Sequence, residues 1–285
     1  MEITGTTKLL CLLGDPVEHS KSPMMHNTAA RLLDLDYAYM AYRVTEQELP
    51  RAVDALKLFD ARGWNLTMPL KTAMAGLTDE LSPAAALANS VNTVVNDHGR
   101  LIGHTTDGIG FMRSAAAEGV DPTGKEIVLL GAGGAASAIC VQAALDGVKG
   151  IHMFKRKNAG WDATEQFISR VAGKTGCDIT LEDINDSTAL RTRLQDAVML
   201  VNATNVGMAP HTDTSPIDAS LLYPELVVSD IIYNPAETKL MREASAIGCK
   251  TFNGMYMLLY QGAAAFELWT GKEMPVEEIR KIFFN

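Results

Sequence analysis

The segment 127–135, IVLLGAGGA, places the strongest constraint on what this chain can fold into. Its apolar, partly β-branched residues predict a buried strand that ends before Gly131, and Gly133 and Gly134 follow at the start of an Ala-rich stretch with helical spacing. A strand, a glycine turn and a helix N-terminus in this order suit a pyrophosphate. Glycine lets the backbone approach closely, while free N–H groups and the helix dipole favour negative charge.

The residues after this helix complete a βαβ unit. Gly147 predicts the end of the helix, and Ile151–Phe154 predicts the next parallel strand at the expected distance. The spacing G-x-G-x-x-A is weak evidence by itself, so a structural turn in another α/β protein is the alternative. The complete unit favours a Rossmann dinucleotide-binding domain.

The loop after the second strand bears on which dinucleotide is bound. NAD-binding proteins usually place an acid there, whereas NADP needs cations for its 2′-phosphate. Here the loop contains Lys155, Arg156, Lys157 and Asn158, with no acid before Asp162. The planar guanidinium of Arg156 suits a phosphate. A solvated basic turn is the alternative, and Asn158 can still hydrogen-bond a bare ribose, so NADP is favoured and NAD remains possible.

Composition narrows the class of protein and of partner. A chain of 285 residues is long enough for two domains, each with its own core. The net charge of −9 argues against nucleic acid or an anionic membrane surface as partner. No apolar run approaches the roughly 20 residues that span a bilayer, and the N-terminus has no signal-peptide pattern. The chain therefore has the composition of a soluble enzyme.

The four cysteines indicate a reducing compartment. They are scattered without metal-ligand spacing, which predicts reduced thiols in a cytoplasmic protein and no metal site. They are Cys11, Cys140, Cys177 and Cys249.

Hydrophobic patterning divides the chain into two α/β domains. The first has no glycine fingerprint, and its predicted strands are Leu9–Leu13, Tyr37–Val44, Gly63–Thr67, Val91–Val95 and Leu101–Thr105. Its predicted helices are 23–33, 46–59 and 72–78. A helix from Gly108 leads into the second domain, with further strands at Asp178–Leu181, Val198–Asn202 and Leu226–Ile232. Helices at 255–269 and 275–284 follow. We expect the long closing helix to return to the first domain, giving 1–107 with 255–285 as one domain and 108–254 as the other.

Four polar clusters in the first half are candidates for chemistry. Ser20 and Ser22, spaced by two, would point the same way on an extended segment and could jointly hold a carboxylate. Taken alone, the motif favours ordinary helix capping, with Ser22 as the N-cap and Pro23 as the first helical residue. The polar run 65–71 ends a predicted strand, where α/β domains gather ligand groups, although a lone lysine is usually solvated surface.

The other two clusters also have a purely structural explanation. Asn92 lies in an apolar run predicted as mid-strand, where its amide must find partners or a ligand. Asp107 stands at the start of the predicted interdomain helix and could merely cap it.

The order of these clusters resembles the shikimate dehydrogenase family over nearly the whole chain. The family's motifs are present, in order, as HSKSPMMHN, NLTMPLK, NSVNTVVN, TTDGIG, GAGGAASA, NATNVGM, DIIYNP and MLLYQGAAAFELWTG. The basic loop and the ending WTGKEMP look most like the quinate/shikimate dehydrogenase branch. The resemblance implies an N-terminal substrate domain and a C-terminal Rossmann domain with the active site in the cleft between them.

The resemblance also implies the reaction. Such enzymes transfer a hydride between NAD(P) and the C3 hydroxyl of shikimate, or of quinate, in chorismate and aromatic amino-acid biosynthesis or in quinate use. We expect a monomer or homodimer acting on a small ring acid. A sensor that binds the acid and cofactor without turnover is the alternative, and the presence of both Lys71 and Asp107 counts against it.

Carried over residue by residue, the resemblance implies a role for each motif. Lys71 and Asp107 are the implied catalytic pair, and a carboxylate beside a lysine favours its ammonium form, which suits a proton donor. The implied substrate ligands are Ser20, Ser22, Thr67, Asn92, Tyr233 and Gln261. The implied cofactor ligands are Ala132, Gly133, Gly134, Ala135, Lys155, Arg156, Lys157, Asn158, Asn205 and Gly254.

Four positions depart from the family pattern. Thr105 stands where Asn usually precedes the Thr-Asp pair, and Lys155 replaces a common Asn. Asn205 stands where the quinate/shikimate branch can carry Lys. Tyr256 adds bulk close to the expected nicotinamide. None of these changes affects the Lys71–Asp107 pair.

Overall fold

The computed structural model describes residues 2–284 and separates them into two compact α/β units. One contains the residues through Gly110 together with those from Leu259 onward, and the other is Phe111–Leu258. These boundaries lie within four residues of the predicted ones. The expected two-domain α/β architecture is confirmed.

The first unit is built on a mixed sheet. Within the described chain its six strands are β1 (Lys8–Gly14), β2 (Tyr37–Arg43), β3 (Gly63–Leu66), β4 (Glu80–Leu81), β5 (Thr93–Asp97) and β6 (Arg100–His104). They lie in the order β2-β1-β3-β5-β6-β4, and β5 is antiparallel to both of its neighbours. As a result, the carboxyl end of β3 and the amino end of β5 lie at the same edge of the sheet.

Helices cover this sheet. Those of the first unit are α1 (Ser22–Leu32), α2 (Leu49–Leu58), α3 (Lys71–Ala75), α4 (Pro83–Ala88), the first turn of α5 (Asp107–Ala117), most of α10 (Met255–Thr270) and α11 (Val276–Phe283). The last turns of α10 dock on the sheet, where the Trp269 indole donates to the Val94 carbonyl at 2.8 Å. Gly63 makes this approach possible, since a Cβ there would lie 2.3 Å from the indole nitrogen and 2.4 Å from the same carbonyl.

The second unit has an all-parallel sheet. Among the described residues its strands are β7 (Glu126–Leu130), β8 (Gly150–Lys155), β9 (Asp178–Asp183), β10 (Ala197–Asn202), β11 (Val227–Asp230) and β12 (Thr251–Asn253), and they lie in the order β12-β11-β10-β7-β8-β9. This is a doubly wound order. In such a sheet a ligand binds at the carboxyl ends of the strands beside the first strand, which is β7 here. Its helices include α6 (Gly134–Leu145), α7 (Trp161–Thr175), α8 (Ser187–Asp196) and α9 (Lys239–Ile247).

Most predicted elements are present within a few residues of their expected bounds, and the exceptions have local causes. Helix α2 begins at Leu49 rather than at residue 46, because the Glu48 carboxylate accepts from the Thr45 amide and hydroxyl at 2.9 and 2.8 Å and holds a turn there. Strand β5 begins at Thr93, so Asn92 precedes the strand and is not mid-strand as predicted. Strands β4 and β12 are too short to show a period and were not predicted.

His26 is an unusual member of the first core. It is 1% exposed, stacks on Tyr39 with ring centroids 4.5 Å apart and has Trp269 and Phe266 as further aromatic neighbours. Neither ring nitrogen has a hydrogen-bond partner among the described residues. Burial lowers the pKa of His26 to about 3, so the ring is neutral in the folded protein.

This histidine makes stability fall as the solution is acidified. In the unfolded chain His26 takes up a proton below about pH 6.5, whereas in the folded chain it does so only below about pH 3. The free energy of unfolding therefore falls progressively as the pH drops between these two values. At pH 5 the loss amounts to about 2 kcal/mol. We predict that urea denaturation shows a lower stability of wild type at pH 5 than at pH 7 and that His26→Phe reduces this difference by about 2 kcal/mol.

The exposed His211 supplies the control, since His211→Gln should keep the wild-type dependence on pH. An unchanged difference between pH 7 and pH 5 in His26→Phe would assign the acid sensitivity to other groups.

Candidate active site and dinucleotide site

The serine pair lies where a loop enters α1. Lys21 has helical backbone angles and serves as the N-cap, with no capping hydrogen bond from its side chain, so the predicted capping by Ser22 is wrong. Ser22 is instead the first helical residue and is buried, and its amide donates to the Ser20 hydroxyl at 3.2 Å. The segment is not extended as expected. The Ser22 backbone amide nevertheless joins the two residues through the Ser20 hydroxyl.

The lysine and aspartate are in direct contact. Lys71 Nζ donates to Asp107 Oδ2 at 2.6 Å, and the two side chains are 29% and 14% exposed. The other carboxylate oxygen, Oδ1, accepts from the Asn92 amide at 2.8 Å. Both oxygens of a largely enclosed carboxylate are therefore paired, as its desolvation requires. The ammonium keeps further N–H donors for an oxygen brought beside it.

The mixed sheet explains why these three residues meet. Lys71 begins α3, shortly after β3, and Asn92 immediately precedes β5. The Lys71 carbonyl accepts from the Val91 amide at 2.9 Å, which joins these two segments. Asp107 begins α5, shortly after β6. The backbone N–H of Asn92 donates to the His104 carbonyl at 3.0 Å. Neighbouring strands thus deliver all three side chains to one edge.

A second layer of polar side chains holds Asn92. Its Oδ1 accepts from the Thr106 amide at 2.8 Å and from the Thr93 hydroxyl at 3.0 Å. Asn65 donates to the Asn92 carbonyl and to the Thr93 hydroxyl, both at 3.0 Å, and accepts from the Tyr39 hydroxyl at 2.8 Å. The sequence clusters contained Asn65, Thr93 and Thr106 without assigning them, and nothing in the strand YAYMAYR singled out Tyr39.

The remaining predicted substrate ligands differ in their surroundings. Gln261 Oε1 lies 3.4 Å from the Asn92 amide, and Thr67 is half-buried beside Gly14, where a Cβ would come within 2.2 Å of the Thr67 methyl. Tyr233 is 47% exposed and belongs to the second unit. Thr105, the departure from the family pattern, is buried, and its hydroxyl has no partner among the described residues.

In the second unit, the glycine turn fits a pyrophosphate. Gly131 has φ +106° and a Cβ there would lie 2.8 Å from the Ala203 carbonyl oxygen, so the position requires glycine. Gly133 and Gly134 are exposed with open space beside them, and α6 begins at Gly134. Its first amides have no intrahelical acceptor and lie at the positive end of the helix dipole. Ala132 and Ala135 border this surface and are half-buried.

The basic loop is partly occupied by its own contacts. Lys155 donates to the Gly160 carbonyl at 2.8 Å and to the Thr164 hydroxyl at 2.9 Å. Asn158 Oδ1 accepts from the Gly160 amide at 3.0 Å, and the Lys157 ammonium lies 5.5 Å from the centroid of the Trp161 ring. Arg156 is exposed, and the described residues provide no hydrogen bond or ion pair for it.

The last two predicted cofactor residues have different environments. Asn205 is exposed on the segment after β10. Gly254 is buried, and a Cβ there would lie 1.8 Å from the Ile231 carbonyl oxygen. Packing of the backbone alone is sufficient to require glycine at this position.

A buried carboxylate supports this part of the second unit. Asp230 accepts from Asn202 Nδ2 at 3.0 Å, from the Thr238 hydroxyl at 2.8 Å and from the Ile232 amide at 3.0 Å. Burial raises the pKa of Asp230, and these donors oppose that rise. The network fixes the ends of β10 and β11, and sequence patterns gave it no assignment.

Family models match both ends of the chain. Residues 12–94 match a shikimate dehydrogenase substrate binding domain, and residues 254–282 match a shikimate 5′-dehydrogenase C-terminal domain. A shikimate dehydrogenase (NADP(+)) from Listeria monocytogenes serotype 4b is 48% identical over 283 residues, covering 99% of this chain and 97% of the relative. The chain belongs to the shikimate dehydrogenase family.

Solved structures agree with this assignment. Shikimate 5-dehydrogenase from Listeria monocytogenes in complex with shikimate and NAD has a TM-score of 0.96 and 48% identity, covering 100% of this chain and 99% of that one. Quinate dehydrogenase from Corynebacterium glutamicum in complex with NAD has a TM-score of 0.86 and 29% identity, covering 97% of this chain and 98% of that one. The family resemblance predicted from the motifs is confirmed, and the chain is an NAD(P)-dependent enzyme.

The described residues contain neither a cluster suited to a metal ion nor a helix suited to a membrane. No cluster of three or more His, Cys, Asp or Glu side chains in 2–284 is arranged to hold a metal ion. No helix in that range is long and apolar enough to cross a membrane.

The surroundings of Gly254 predict a folding defect that needs no cofactor. A methyl group in contact with the Ile231 carbonyl should lower the melting temperature of Gly254→Ala by on the order of 10 °C. Thermal unfolding of the cofactor-free protein measures this. Gly173→Ala is the matched control, because Gly173 lies inside α7 with open space around it and should be neutral or stabilising. If cofactor-free Gly254→Ala were as stable as wild type, backbone packing would not explain this glycine, and only the expected role in ligand binding would remain.

Proposed function

We propose that this chain catalyses hydride transfer between NAD(P) and the C3 hydroxyl of shikimate, with 3-dehydroshikimate as the ketone. The observation that carries the proposal is the contact between Lys71 Nζ and Asp107 Oδ2 at 2.6 Å beside the Asn92 amide. The first unit would bind the ring acid and the second the dinucleotide. Support comes from the matched substrate-binding model over residues 12–94 and from the glycine turn at the start of α6.

Lys71 would move the proton at the reacting oxygen. The bound nicotinamide supplies or accepts the hydride. In ketone reduction, negative charge develops on the oxygen, and the Lys71 ammonium donates a proton to it. Asp107 holds that ammonium in place through Oδ2, and Asn92 fixes the carboxylate through Oδ1. In alcohol oxidation the same lysine must first be neutral to accept the proton, so Lys71 and Asp107 act as a coupled pair.

The serines would bind the substrate carboxylate. The Ser22 backbone amide donates to the Ser20 hydroxyl, so the two serines are in contact at the entrance to α1. Neutral hydroxyl donors can hold a carboxylate without fixing the identity of the ring. We therefore propose quinate as a second substrate, a proposal supported by the likeness to a quinate dehydrogenase. Kinetics with both acids and both cofactors would measure the preference.

Arg156 would favour NADP. It is an exposed cation of the loop, as is Lys157, and its described surroundings leave its guanidinium available for a 2′-phosphate. The nearest acid along the chain is Asp162, on the first turn of α7. NAD, which lacks the phosphate, would bind without this contact. We also propose a cytoplasmic location, since the four cysteines are buried free thiols.

Replacing Lys71 by Met should reduce turnover more than substrate affinity. Methionine preserves the bulk of the side chain and removes the proton donor, so we expect kcat for shikimate to fall about 10²–10⁴-fold, with a smaller change in KM. Absorbance of the reduced nicotinamide follows the reaction. Lys57→Met, which removes an exposed lysine from the end of α2, should retain wild-type kinetics. A loss of less than about tenfold with an intact fold would contradict a proton-transfer role for Lys71.

Replacing Arg156 by Ala should separate the two cofactors. Loss of a charge-assisted contact to phosphate corresponds to about 10–100-fold in kcat/KM for NADP. The value for NAD should change by less than about twofold, because no 2′-phosphate is present. Measuring kcat/KM with each cofactor at saturating shikimate gives both numbers. Equal losses for NADP and NAD would refute the assignment.

A further inference from the structure

We propose that Lys155 is a positioning residue that braces the cofactor loop and is not itself a ligand of the 2′-phosphate. The proposal rests on the proposed binding of NAD(P) to this unit. It changes the role expected for Lys155 from the family resemblance, which grouped it with Arg156, Lys157 and Asn158 as direct contacts. It concerns a position at which this chain departs from the family's common Asn.

The first observation is the direction of the Lys155 side chain. Lys155 ends β8, and five residues separate it from Trp161, where α7 begins. Its ammonium crosses this connection and donates to the Gly160 carbonyl at 2.8 Å and to the Thr164 hydroxyl at 2.9 Å. The charge is therefore held at the base of the loop, against the first turn of α7.

The second observation is that these acceptors are fixed in their turn. The Thr164 hydroxyl donates to the Gly160 carbonyl at 2.9 Å, and Thr164 is 9% exposed. The Thr164 amide donates to the same carbonyl at 3.2 Å. Lys155, Gly160 and Thr164 thus form a closed set of hydrogen bonds, which we call the loop brace. A cation at a helix N-terminus opposes the helix dipole, so hydrogen bonds must offset that cost.

The third observation is that other residues of the loop are also bonded to Gly160 and to the start of α7. Asn158 accepts from the Gly160 amide through its side chain at 3.0 Å and from the Trp161 amide through its carbonyl at 3.0 Å. The Lys157 ammonium lies over the Trp161 ring. With both ends of the connection held in this way, Arg156 is presented to solvent from a fixed backbone. A brace of this kind lowers the cost of ordering the loop for any dinucleotide, with or without a 2′-phosphate.

Direct binding distinguishes a brace from a phosphate ligand. Isothermal titration of the cofactor-free protein with NADP and with NAD gives two dissociation constants for each variant. Lys155→Met should raise both by about three- to tenfold and change their ratio by less than about twofold. Thr164→Val, which removes no charge, should raise both in the same way. The double variant should be little weaker than either single one, because each breaks the same brace.

Hydrogen exchange supplies a readout that does not involve the cofactor. The amides of Gly160 and Trp161 should exchange faster in Lys155→Met and in Thr164→Val than in wild type. Lys174→Met is the control, since it removes an exposed lysine from the last turn of α7. It should change neither dissociation constant nor the exchange of these two amides.

Two results would overturn the proposal. One is a selective loss of NADP binding in Lys155→Met that weakens with added salt, since this would make Lys155 a phosphate ligand. The other is wild-type binding of both cofactors by both Lys155→Met and Thr164→Val. Failure of the proposed function would look different, because the wild-type protein itself would then bind neither dinucleotide, and the role of the brace in cofactor binding would fall with it.

Discussion

The site in the first unit depends on the Asp107 carboxylate having a partner on each oxygen. Lys71 occupies one side at 2.6 Å and Asn92 the other at 2.8 Å. A carboxylate this enclosed is costly to leave unpaired, so the three side chains stabilise one another's positions. They come from the segments that follow β3, precede β5 and follow β6, and β3–β5–β6 are neighbours in the sheet. The Lys71–Asp107 ion pair consequently exists only when these strands are in their native register.

The second unit uses the backbone where the first uses side chains. Gly131 can neither carry a side chain against Ala203 nor relax from its positive φ, and this sets the course of the turn into α6. The surface proposed for the pyrophosphate is therefore made of amides and has little dependence on side-chain identity. Under the proposed function, discrimination between dinucleotides falls to the loop after β8, where Arg156 is exposed and Lys155 is turned inward. The proposed determinants of affinity and of selectivity are thus separated along the same βαβ unit.

The sequence predicted local features better than contacts between distant segments. The strand, turn and helix around Gly131 follow from periodicity and glycine alone, and the structure contains them. Local evidence predicted only a surface lysine at Lys71 and a helix cap at Asp107. The prediction that they form a pair came from the order of the family's motifs. Ser22 was wrongly expected to cap α1, because its serine–proline pattern fits an N-cap equally well. No local pattern indicates that Tyr39, on the edge strand β2, reaches Asn65, since that contact depends on strand order.

The overall charge adds a constraint on how anionic ligands are bound. At a net charge of −9, the protein as a whole repels a ring carboxylate and a dinucleotide. Screening confines charge effects to about 8 Å at physiological ionic strength, so attraction must come from groups in direct contact. Under the proposed function, the hydroxyls of Ser20 and Ser22 and the amides at the start of α6 are neutral donors that would bind an anion without a favourable long-range field. Arg156 would add positive charge at the loop where the two cofactors differ, which would make the proposed 2′-phosphate contact the charge-dependent part of recognition.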